Sequence, residues 1–278
     1  MTHHETGSAT VVSIILAAGK GSRMLGYDGS KTLLPLIPGR FRYEGERPML
    51  LAVLHNLPPG PKAIVVHHRA EDIRLATRGM PVSYIFQPVT NGTGGALLAA
   101  VPFLETVNAD QVLITMGDVP LIRNATYQRL LGGLSTDDLV LLAFAARERA
   151  QYGMLQTEGE QVRRIIEWKY WSTFPNADQD RLQYCNAGVY AGKLQVLLSF
   201  LERLAEHPHR VQKQLGNEWV TLEEFFLTDL VEIMSDAGYE VGFVVADEEE
   251  VMGVGTPEAL EVAQQIYAQR NHGKHGAQ

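Results

Sequence analysis

Residues 16–24 read LAAGKGSRM and combine two glycines with two cations directly after a run of apolar residues. Gly19 and Gly21 allow the backbone amides of a turn to approach a ligand closely, and Lys20 and Arg23 add positive charge. In open parallel sheets, ligands bind beyond the carboxyl ends of the strands, where such turns meet phosphate groups. The stretch therefore predicts a site for a polyanion at the end of a buried strand.

The spacing excludes two common phosphate-binding motifs. A kinase-type loop needs a glycine five residues before its Gly-Lys-Ser/Thr, but Ile14 stands there. A dinucleotide fingerprint needs a third glycine where Met24 stands. A plain glycine turn with exposed cations remains the alternative at this point.

Polar side chains also end two later apolar segments. Asp118 closes QVLITMGD, so its carboxylate is expected at the same sheet edge, where it would bind a magnesium ion that bridges phosphates. An Asx turn before Pro120 is the alternative. Gln87 ends VSYIFQ, and its amide offers the donor and the acceptor that reading a base edge requires. A capped turn before a helix near Gly94 is the alternative there.

The ordered set of motifs resembles the signature of sugar-1-phosphate nucleotidyltransferases. LAAGKGSRM is followed by Lys31-Thr32-Leu33-Leu34-Pro35, and residues 11–265 are similar to the uridylyltransferase domain of bacterial N-acetylglucosamine-1-phosphate uridylyltransferases. The other matching segments are, in chain order, Gln87 with Gly92-Thr93-Gly94, Gly117-Asp118-Val119-Pro120-Leu121, Tyr152-Gly153, Glu167 with Lys169, Asn186-Ala187-Gly188 and Glu224-Phe225-Phe226-Leu227-Thr228-Asp229.

The resemblance implies transfer of a nucleotidyl group from an NTP, with UTP expected, to a sugar 1-phosphate such as N-acetylglucosamine 1-phosphate, with release of pyrophosphate. It implies Mg²⁺ as the cofactor, Asp118 as its ligand, and Arg23, Lys31 and Asp118 as the catalytic residues, while Lys20 is a weaker candidate. The implied nucleotide-binding residues are Leu16, Ala17, Ala18, Gly19, Gly21, Gln87, Gly92 and Thr93, and the implied sugar-binding residues are Gly153, Glu167, Lys169 and Asn186.

Glu167 and Lys169 are two positions apart, which predicts one face of a strand and lets Lys169 reach the phosphate of the sugar. A cross-strand ion pair on a solvated hairpin is the alternative for the same two residues.

The chain departs from the family pattern in three places. Gly255 stands where the family has an asparagine as second metal ligand, so the metal is held either by Asp118 with phosphates and water or also by an acid from 247–250. The insertion IPGRFRYEGERPML carries three cations, Arg40, Arg42 and Arg47. These cations either lie over the active site or a bound partner, or belong to a mobile surface hairpin. Hexapeptide repeats are absent from the sequence, so no β-helix acetyltransferase domain is expected.

Short β-branched runs alternate with helical patterns, which predicts a doubly wound α/β fold with a mainly parallel, Rossmann-like sheet and a small β-rich sugar-binding lobe. The expected nucleotide-binding part is 11–146 and the sugar-binding part is 147–270, between flexible ends at 1–10 and 271–278. The later pattern predicts a hairpin turning at Glu158-Gly159 and a helix over TLEEFFLTDLVEIMSDAG, in which Asp229 has no evident partner.

Composition narrows the class of protein. The 278 residues carry a net charge of −8, which argues against a nucleic-acid or anionic-membrane partner. The single Cys185 permits no internal disulfide, and no signal peptide or membrane span is evident, so a cytoplasmic protein with small-molecule substrates is expected. His67 and His68 are adjacent in a strand and form a poor metal pair, and His207 and His209 are expected in an interhelix turn.

Three hypotheses follow. The first is a magnesium-dependent sugar-1-phosphate nucleotidyltransferase. The second, motivated by Gly255, is a catalytically weakened binding or regulatory protein that senses a nucleotide sugar. The third is a transferase of the same fold that uses CTP or GTP and another acceptor.

Overall fold

The computed structural model describes residues 9–21, 23–24, 26–215 and 218–275. The strands in these parts are β1 Val11–Leu16, β2 Pro35–Pro38, β3 Gly45–Pro48, β4 Lys62–Val66, β5 Ser83–Phe86, β6 Gln111–Met116, β7 Leu139–Phe144, β8 Met154–Glu158, β9 Gln161–Ile166, β10 Cys185–Lys193, β11 His209–Leu215, β12 Glu218–Glu224 and β13 Val241–Val245. The helices are α1 Met49–Asn56, α2 Ala70–Ala76, α3 Gly92–Ala99, α4 Val101–Leu104, α5 Asn124–Gly132, α6 Trp168–Trp171, α7 Asn176–Gln179, α8 Leu194–Ala205, α9 Asp229–Asp236, α10 Glu248–Val251 and α11 Pro257–His275.

The central sheet has the strand order β13-β7-β10-β6-β1-β4-β5. Its neighbours are parallel except where β10 runs antiparallel between β6 and β7. The hairpin of β8 and β9 joins this sheet through β10. The predicted α/β fold with a mainly parallel sheet is confirmed.

Both faces of the sheet are buried, which explains why its strands are almost continuously apolar. In β1, Val11 and Ile15 pack into the core on one face, whereas Val12, Ile14 and Leu16 pack on the other. The register pairs Leu16 of β1 with Met116 of β6. The two strands therefore end at the same level, and the loops that follow them meet at one edge of the sheet.

The carboxyl-terminal half departs from expectation around residue 221. The predicted helix over 221–238 is wrong in its first part, because residues 221–224 belong to β12, which pairs with β11, and α9 begins only at Asp229. His209 likewise begins β11 rather than lying in an interhelix turn. The hairpin at Glu158-Gly159 is confirmed, and Gly159 supplies the left-handed residue of its turn with φ +62°.

The ends of the chain are only partly described. Residues 1–8 lie outside the described residues, as do 276–278, and α11 continues to His275, into the segment 271–278 that was predicted as a flexible tail. Among the described helices, none combines the length and the apolar character that a membrane span requires.

Candidate active site

A cleft of about 300 Å³ opens at the carboxyl edge of the sheet. The loop after β1, the short 3-10 helix Lys31–Leu33, the start of α3 and the ends of β6 and β12 form its walls. Nine of the predicted residues line it, namely Leu16, Ala17, Ala18, Gly19, Lys31, Gln87, Gly92, Thr93 and Asp118. Five further residues line it that sequence reasoning missed, namely Thr32, Thr90, Ala96, Met116 and Glu224.

The polar centre of the cleft is the contact between Lys31 and Asp118. The Lys31 ammonium donates a hydrogen bond to Oδ2 of Asp118, and both side chains are mostly buried, at 15% and 23% exposure. The residues are far apart in sequence, and the sheet brings them together because β1 and β6 end side by side. An anionic ligand that enters the cleft thus meets an ammonium group already held in place.

The glycine turn after β1 has two different roles. A Cβ at Gly21 would lie 3.0 Å from the Cβ of Lys31, and φ is +64° there, so the turn requires glycine. A Cβ at Gly19 would meet nothing within 4 Å. Gly21 therefore lets the turn pack against Lys31, while Gly19 leaves the cleft open.

Gln87 is buried at the end of β5 and organises the loop that leads to α3. Its Nε2 amide donates to Oδ1 of Asn91 at 3.0 Å and to the carbonyl of Gly92 at 3.3 Å. Both bonds use the amide nitrogen, so the carbonyl oxygen Oε1 is the atom that this side chain can offer to a ligand.

Residues 224–228 form a connecting segment that runs from the last residue of β12 to α9 and packs against the start of α3. Gly94 donates its backbone NH to the carbonyl of Phe225 at 2.8 Å, and Leu227 donates to Oγ1 of Thr93 at 3.2 Å. A Cβ at Gly92, where φ is +94°, would lie 2.3 Å from the Phe225 carbonyl oxygen. Gly92 is therefore needed for this close approach, a role the sequence analysis did not give it.

Beyond the connecting segment lies a second group of predicted residues, here called the lobe cluster. The backbone NH of Asn186 donates to the carbonyl of Gly153 at 2.8 Å, and Oγ1 of Thr228 donates to Oε1 of Glu167 at 3.1 Å. A Cβ at Gly153 would lie 3.8 Å from both carboxylate oxygens of Glu167. The lobe cluster consists of Gly153, Glu167, Asn186 and Thr228.

The side chain of Asn186 is held in a fixed orientation inside the lobe cluster. Its Oδ1 accepts from the backbone NH of Gly188 at 3.0 Å, and its Nδ2 donates to the hydroxyl of Tyr190 at 2.8 Å. Burial raises the pKa of the Tyr190 hydroxyl, and the negative charges of Glu167 and Asp229 raise it further. Two carboxylates therefore act on this region of the lobe.

Asp229 has the partner that sequence reasoning did not identify. Nε2 of His209 lies 2.8 Å from Oδ2 of Asp229, and the His209 ring packs at 4.8 Å, centroid to centroid, from the ring of Phe226. The pair forms because the hairpin of β11 and β12 returns the chain to the start of α9. No local sequence pattern marks a contact of this kind.

Lys169 is not part of the lobe cluster. The prediction that it shares a strand face with Glu167 is wrong, because β9 ends at Ile166 and Lys169 lies in α6. Its ammonium packs over the ring of Tyr170, 4.7 Å from the ring centroid. The alternative of an ion pair with Glu167 is not seen in the described residues either.

Arg23 lies outside the residues that line the cleft. A Cβ at Gly255 would lie 3.1 Å from Nη2 of Arg23, so the guanidinium lies over the position at which the resemblance expects a metal-binding side chain. The pKa of the Tyr152 hydroxyl is raised, chiefly by burial, and the charge of Arg23 opposes this shift. Arg23 is thus near both Gly255 and Tyr152, on the side of the lobe.

Residues 252–256 run close to the cleft, since Val254 donates its backbone NH to the carbonyl of Asp118 at 2.8 Å. The nearby acids are mostly engaged elsewhere. Glu250 is buried and accepts from Nη2 of Arg123 at 2.6 Å and from Oγ1 of Thr126 at 2.5 Å. Asp247 also contacts Arg123, at 3.2 Å. Arg123 therefore already pairs with both Asp247 and Glu250, and a metal-binding role for an acid from 247–250 stays a prediction.

The described residues contain no group of three or more His, Cys, Asp or Glu side chains that could hold a metal ion. Asp118 is the carboxylate at the Lys31 end of the cleft, and Gly255 contributes no side chain. Magnesium commonly binds through one or two carboxylates, substrate phosphates and water. The donor set thus fits Mg²⁺ that arrives with a phosphate ligand.

The insertion after the lysine motif forms the hairpin of β2 and β3 and packs on α11. Arg42 pairs with Glu261 at 2.7 Å, and Nε2 of Gln264 donates to the carbonyl of Pro35 at 2.8 Å. None of its three arginines lines the cleft, so the alternative in which they cover it is not seen, and the segment forms a hairpin as the other alternative has it.

Comparison with known proteins gives a consistent result. A family model for the MobA-like NTP transferase domain matches residues 13–212. The "Bifunctional protein GlmU" of Cereibacter sphaeroides is 32% identical over 268 residues, covering 94% of this chain and 53% of that protein, and its namesake in Clostridium botulinum is 29% identical over 269 residues. The chain spans about half the length of these curated relatives.

Solved structures support the fold. A Bacillus anthracis structure assigned as a glucose-1-phosphate thymidylyltransferase superposes with a TM-score of 0.67 at 18% identity, covering 92% of this chain and 95% of that chain. The uridine diphosphate N-acetylglucosamine pyrophosphorylase of Trypanosoma brucei gives 0.69 at 14% identity, covering 92% and 65%. With the family match over residues 13–212, the chain belongs to the MobA-like NTP transferase family and is a nucleotidyltransferase.

Proposed function

We propose that the protein transfers the uridylyl group of UTP to a sugar 1-phosphate and releases pyrophosphate. A phosphate oxygen of the sugar phosphate attacks the α-phosphorus of UTP, and the bond to the pyrophosphate oxygen breaks. The attacking oxygen is already ionised at neutral pH, so the protein needs to position two polyanions and neutralise their charge rather than supply a nucleophile.

The observation that carries this proposal is the contact between Lys31 and Asp118 in the cleft. Lys31 would move its ammonium from the carboxylate to the phosphates of the nucleotide, where it offsets negative charge during transfer. Asp118 would hold Mg²⁺, which when bound would supply positive charge that offsets the negative charge of the phosphates. The backbone of Leu16, Ala17, Ala18, Gly19 and Gly21 would lie along the triphosphate.

Gln87, Gly92 and Thr93 support uridine as the nucleoside. The Oε1 oxygen of Gln87 is the acceptor that remains after its amide nitrogen has bonded Asn91 and Gly92. The N3–H of uracil is a donor that suits it, whereas N3 of cytosine carries no hydrogen. Thr93 would close this pocket through its bond to the connecting segment.

The lobe cluster supports a sugar as the acceptor. Glu167 accepts hydrogen bonds from hydroxyls, and Asn186 and the backbone of Gly153 lie beside it. The trypanosomal neighbour is named a uridine diphosphate N-acetylglucosamine pyrophosphorylase, and we therefore propose N-acetylglucosamine 1-phosphate as the first acceptor to test. Arg23, between Gly255 and Tyr152, would contact the phosphates from the side of the lobe.

The test is pyrophosphate release from each of the four common triphosphates with a panel of sugar 1-phosphates, for the wild type and for Asp118→Asn. Asp110→Asn, which changes an exposed aspartate that hydrogen-bonds Thr10, is the matched control. We expect turnover with UTP that Asp118→Asn abolishes and Asp110→Asn retains. Turnover only with CTP or GTP would refute the assignment of uridine.

One observation favours a second candidate, a protein that binds a nucleotide sugar without making it. Gly255 supplies no side chain, and the guanidinium of Arg23 occupies the space beside it. Saturable binding of a nucleotide sugar in calorimetry, with no pyrophosphate released for any substrate pair, would favour this candidate over the transferase.

A further inference from the structure

A second pocket, of about 460 Å³, lies beside residues 120–123 and shares no lining residue with the cleft. Elements far apart in the chain form it: the end of β3, helix α1, the segment after Asp118 and the end of α11. We call it the arginine pocket. Its polar lining residues include Arg47, His55, Asn56, Arg123, Arg270 and Asn271.

The charge of the arginine pocket is opposite to that of the molecule. No aspartate or glutamate is among the residues that line it, although the chain has a net charge of −8. Arg123 forms ion pairs with Glu250 and Asp247, but Arg47 and Arg270 make no ion pair within the described residues. Two guanidinium groups without a carboxylate partner, at one concave site, favour an anionic ligand.

The backbone of Arg47 is also unusual. Its φ is +60°, in the left-handed region that residues other than glycine adopt at an energetic cost. Arg47 is exposed and lies in β3, two residues before α1 begins at Met49, and no partner among the described side chains explains the conformation. Strain of this kind concentrates at ligand sites, where it orients a side chain.

The pocket is connected by two hydrogen bonds to the loop that follows β6 and carries Asp118. Nη1 of Arg270 donates to the carbonyl of Leu121 at 2.8 Å, and Nδ2 of Asn56 donates to the carbonyl of Ile122 at 2.9 Å. Leu121 and Ile122 follow Asp118 within one short loop. A ligand that recruits Arg270 or Asn56 would compete with these bonds and alter the support of Asp118.

We propose that the arginine pocket binds a phosphate group, either of a small organic phosphate or free in solution, and that its occupancy changes the rate of nucleotidyl transfer. A phosphate accepts from several guanidinium NH groups at once, which suits a pocket with three arginines. The proposed binding of phosphate does not depend on the proposed function. The proposed effect on the rate of nucleotidyl transfer rests on that function.

The binding test uses glycerol 3-phosphate and inorganic phosphate at constant ionic strength, with thermal shift and calorimetry as readouts. Arg47→Ala removes an exposed arginine of the pocket, Arg78→Ala removes an exposed arginine elsewhere, and Lys31→Met disables the cleft. We expect saturable binding to the wild type, Arg78→Ala and Lys31→Met, and affinity at least about tenfold weaker for Arg47→Ala, because a charge-assisted hydrogen bond is lost.

The outcomes distinguish an organic phosphate from free phosphate as the ligand, and the arginine pocket from the cleft as the binding site. Tighter binding of glycerol 3-phosphate supports an organic phosphate as the ligand, and equal binding of both probes supports free phosphate. Undiminished binding to Arg47→Ala, loss of binding to Lys31→Met, or no binding to the wild type would overturn the proposal.

The coupling test measures pyrophosphate release with and without saturating glycerol 3-phosphate. We expect the probe to change the rate of the wild type and to leave the rate of Arg47→Ala unchanged. An unchanged wild-type rate despite binding would refute the coupling. Absence of any turnover would refute the proposed function while leaving the binding result intact.

Discussion

The cleft and the lobe cluster are assembled differently. In the cleft, many of the lining residues lie at the end of a strand or in the loop that directly follows it, so LAAGKGSRM and QVLITMGD each contribute a contiguous piece at one sheet edge. In the lobe cluster, each residue comes from a different element, and hydrogen bonds such as that of Thr228 with Glu167 connect them. Contiguous motifs can be read from sequence, whereas sites built by long-range contacts are found only in the fold.

The connecting segment 224–228 links the two regions. Glu224 lines the cleft, Phe225 packs on Gly92, and Thr228 bonds Glu167. Substitutions in the cleft should therefore mainly lower the rate of the chemical step, and those in the lobe cluster should weaken only the binding of the acceptor. This difference can be tested from the largest expected effect to the smallest.

Lys31→Met should have the largest effect. Removal of the ammonium from the phosphates is expected to lower kcat by roughly 100- to 1000-fold, in line with the loss of one preorganised electrostatic contact. Steady-state pyrophosphate release measures this, with Lys62→Met, at the opposite end of the sheet, as the control. A kcat within a few-fold of wild type would mean that the cleft is not where transfer takes place.

Glu250→Gln tests the support behind the cleft. The substitution weakens bonds to Arg123 and Thr126 and should lower the free energy of unfolding by about 1–3 kcal/mol, because Glu250 is buried while Arg123 is partly exposed. Urea denaturation measures it, and Glu261→Gln, on the surface, is the control. A free energy of unfolding of Glu250→Gln equal to that of the wild type would show that the buried carboxylate does not stabilise the fold.

The same residue predicts a pH dependence. Burial raises the pKa of the Glu250 carboxyl, but hydrogen bonds from Arg123 and Thr126 lower it by more, so its pKa in the folded state is below the usual value. The stabilisation is therefore present above the unfolded pKa and is lost as the pH falls through the folded pKa. The difference in Tm between wild type and Glu250→Gln should shrink on acidification; a difference that grows would contradict this assignment.

Thr228→Val should affect the acceptor alone. It removes the hydroxyl that donates to Glu167, and we expect the KM for the sugar phosphate to rise by about 3- to 10-fold while the KM for UTP stays unchanged. Thr221→Val, in the exposed part of β12, is the matched control. Equal changes in both KM values would show that the two regions are not separable.

Lys169→Ala should have the smallest effect. Its side chain packs on Tyr170 rather than on the lobe cluster, so both KM values should stay within about twofold of wild type. A tenfold rise in the KM for the sugar phosphate would instead support the role that the sequence resemblance implies for Lys169.

Sequence reasoning was sound where local pattern and fold agree. The apolar strands, the glycine turn and the positions of Lys31 and Asp118 could all be predicted, because parallel strands end at a common edge. It was wrong over 221–228: TLEEFF has helical spacing, but residues 221–224 pair with β11 instead, and α9 begins only at Asp229. The pair of His209 and Asp229 depends on the same hairpin, so no local signal predicts it.

The position of Arg23 was also beyond sequence reasoning. Gly255 can be recognised as a missing metal ligand, but only the fold shows that a guanidinium lies over it. A positively charged guanidinium therefore lies where the resemblance expects a neutral asparagine ligand. In this feature the chain differs from the family pattern that it otherwise follows.

The most direct measurement is a crystal structure with UTP and Mg²⁺ bound. Asp118 should lie within about 2.1 Å of the ion, Lys31 should contact a phosphate oxygen, and the backbone of residues 19–21 should lie along the triphosphate. A structure in which the nucleotide binds elsewhere, or in which the carboxylate of Asp118 keeps its contact with Lys31 and does not touch the ion, would contradict the proposed site.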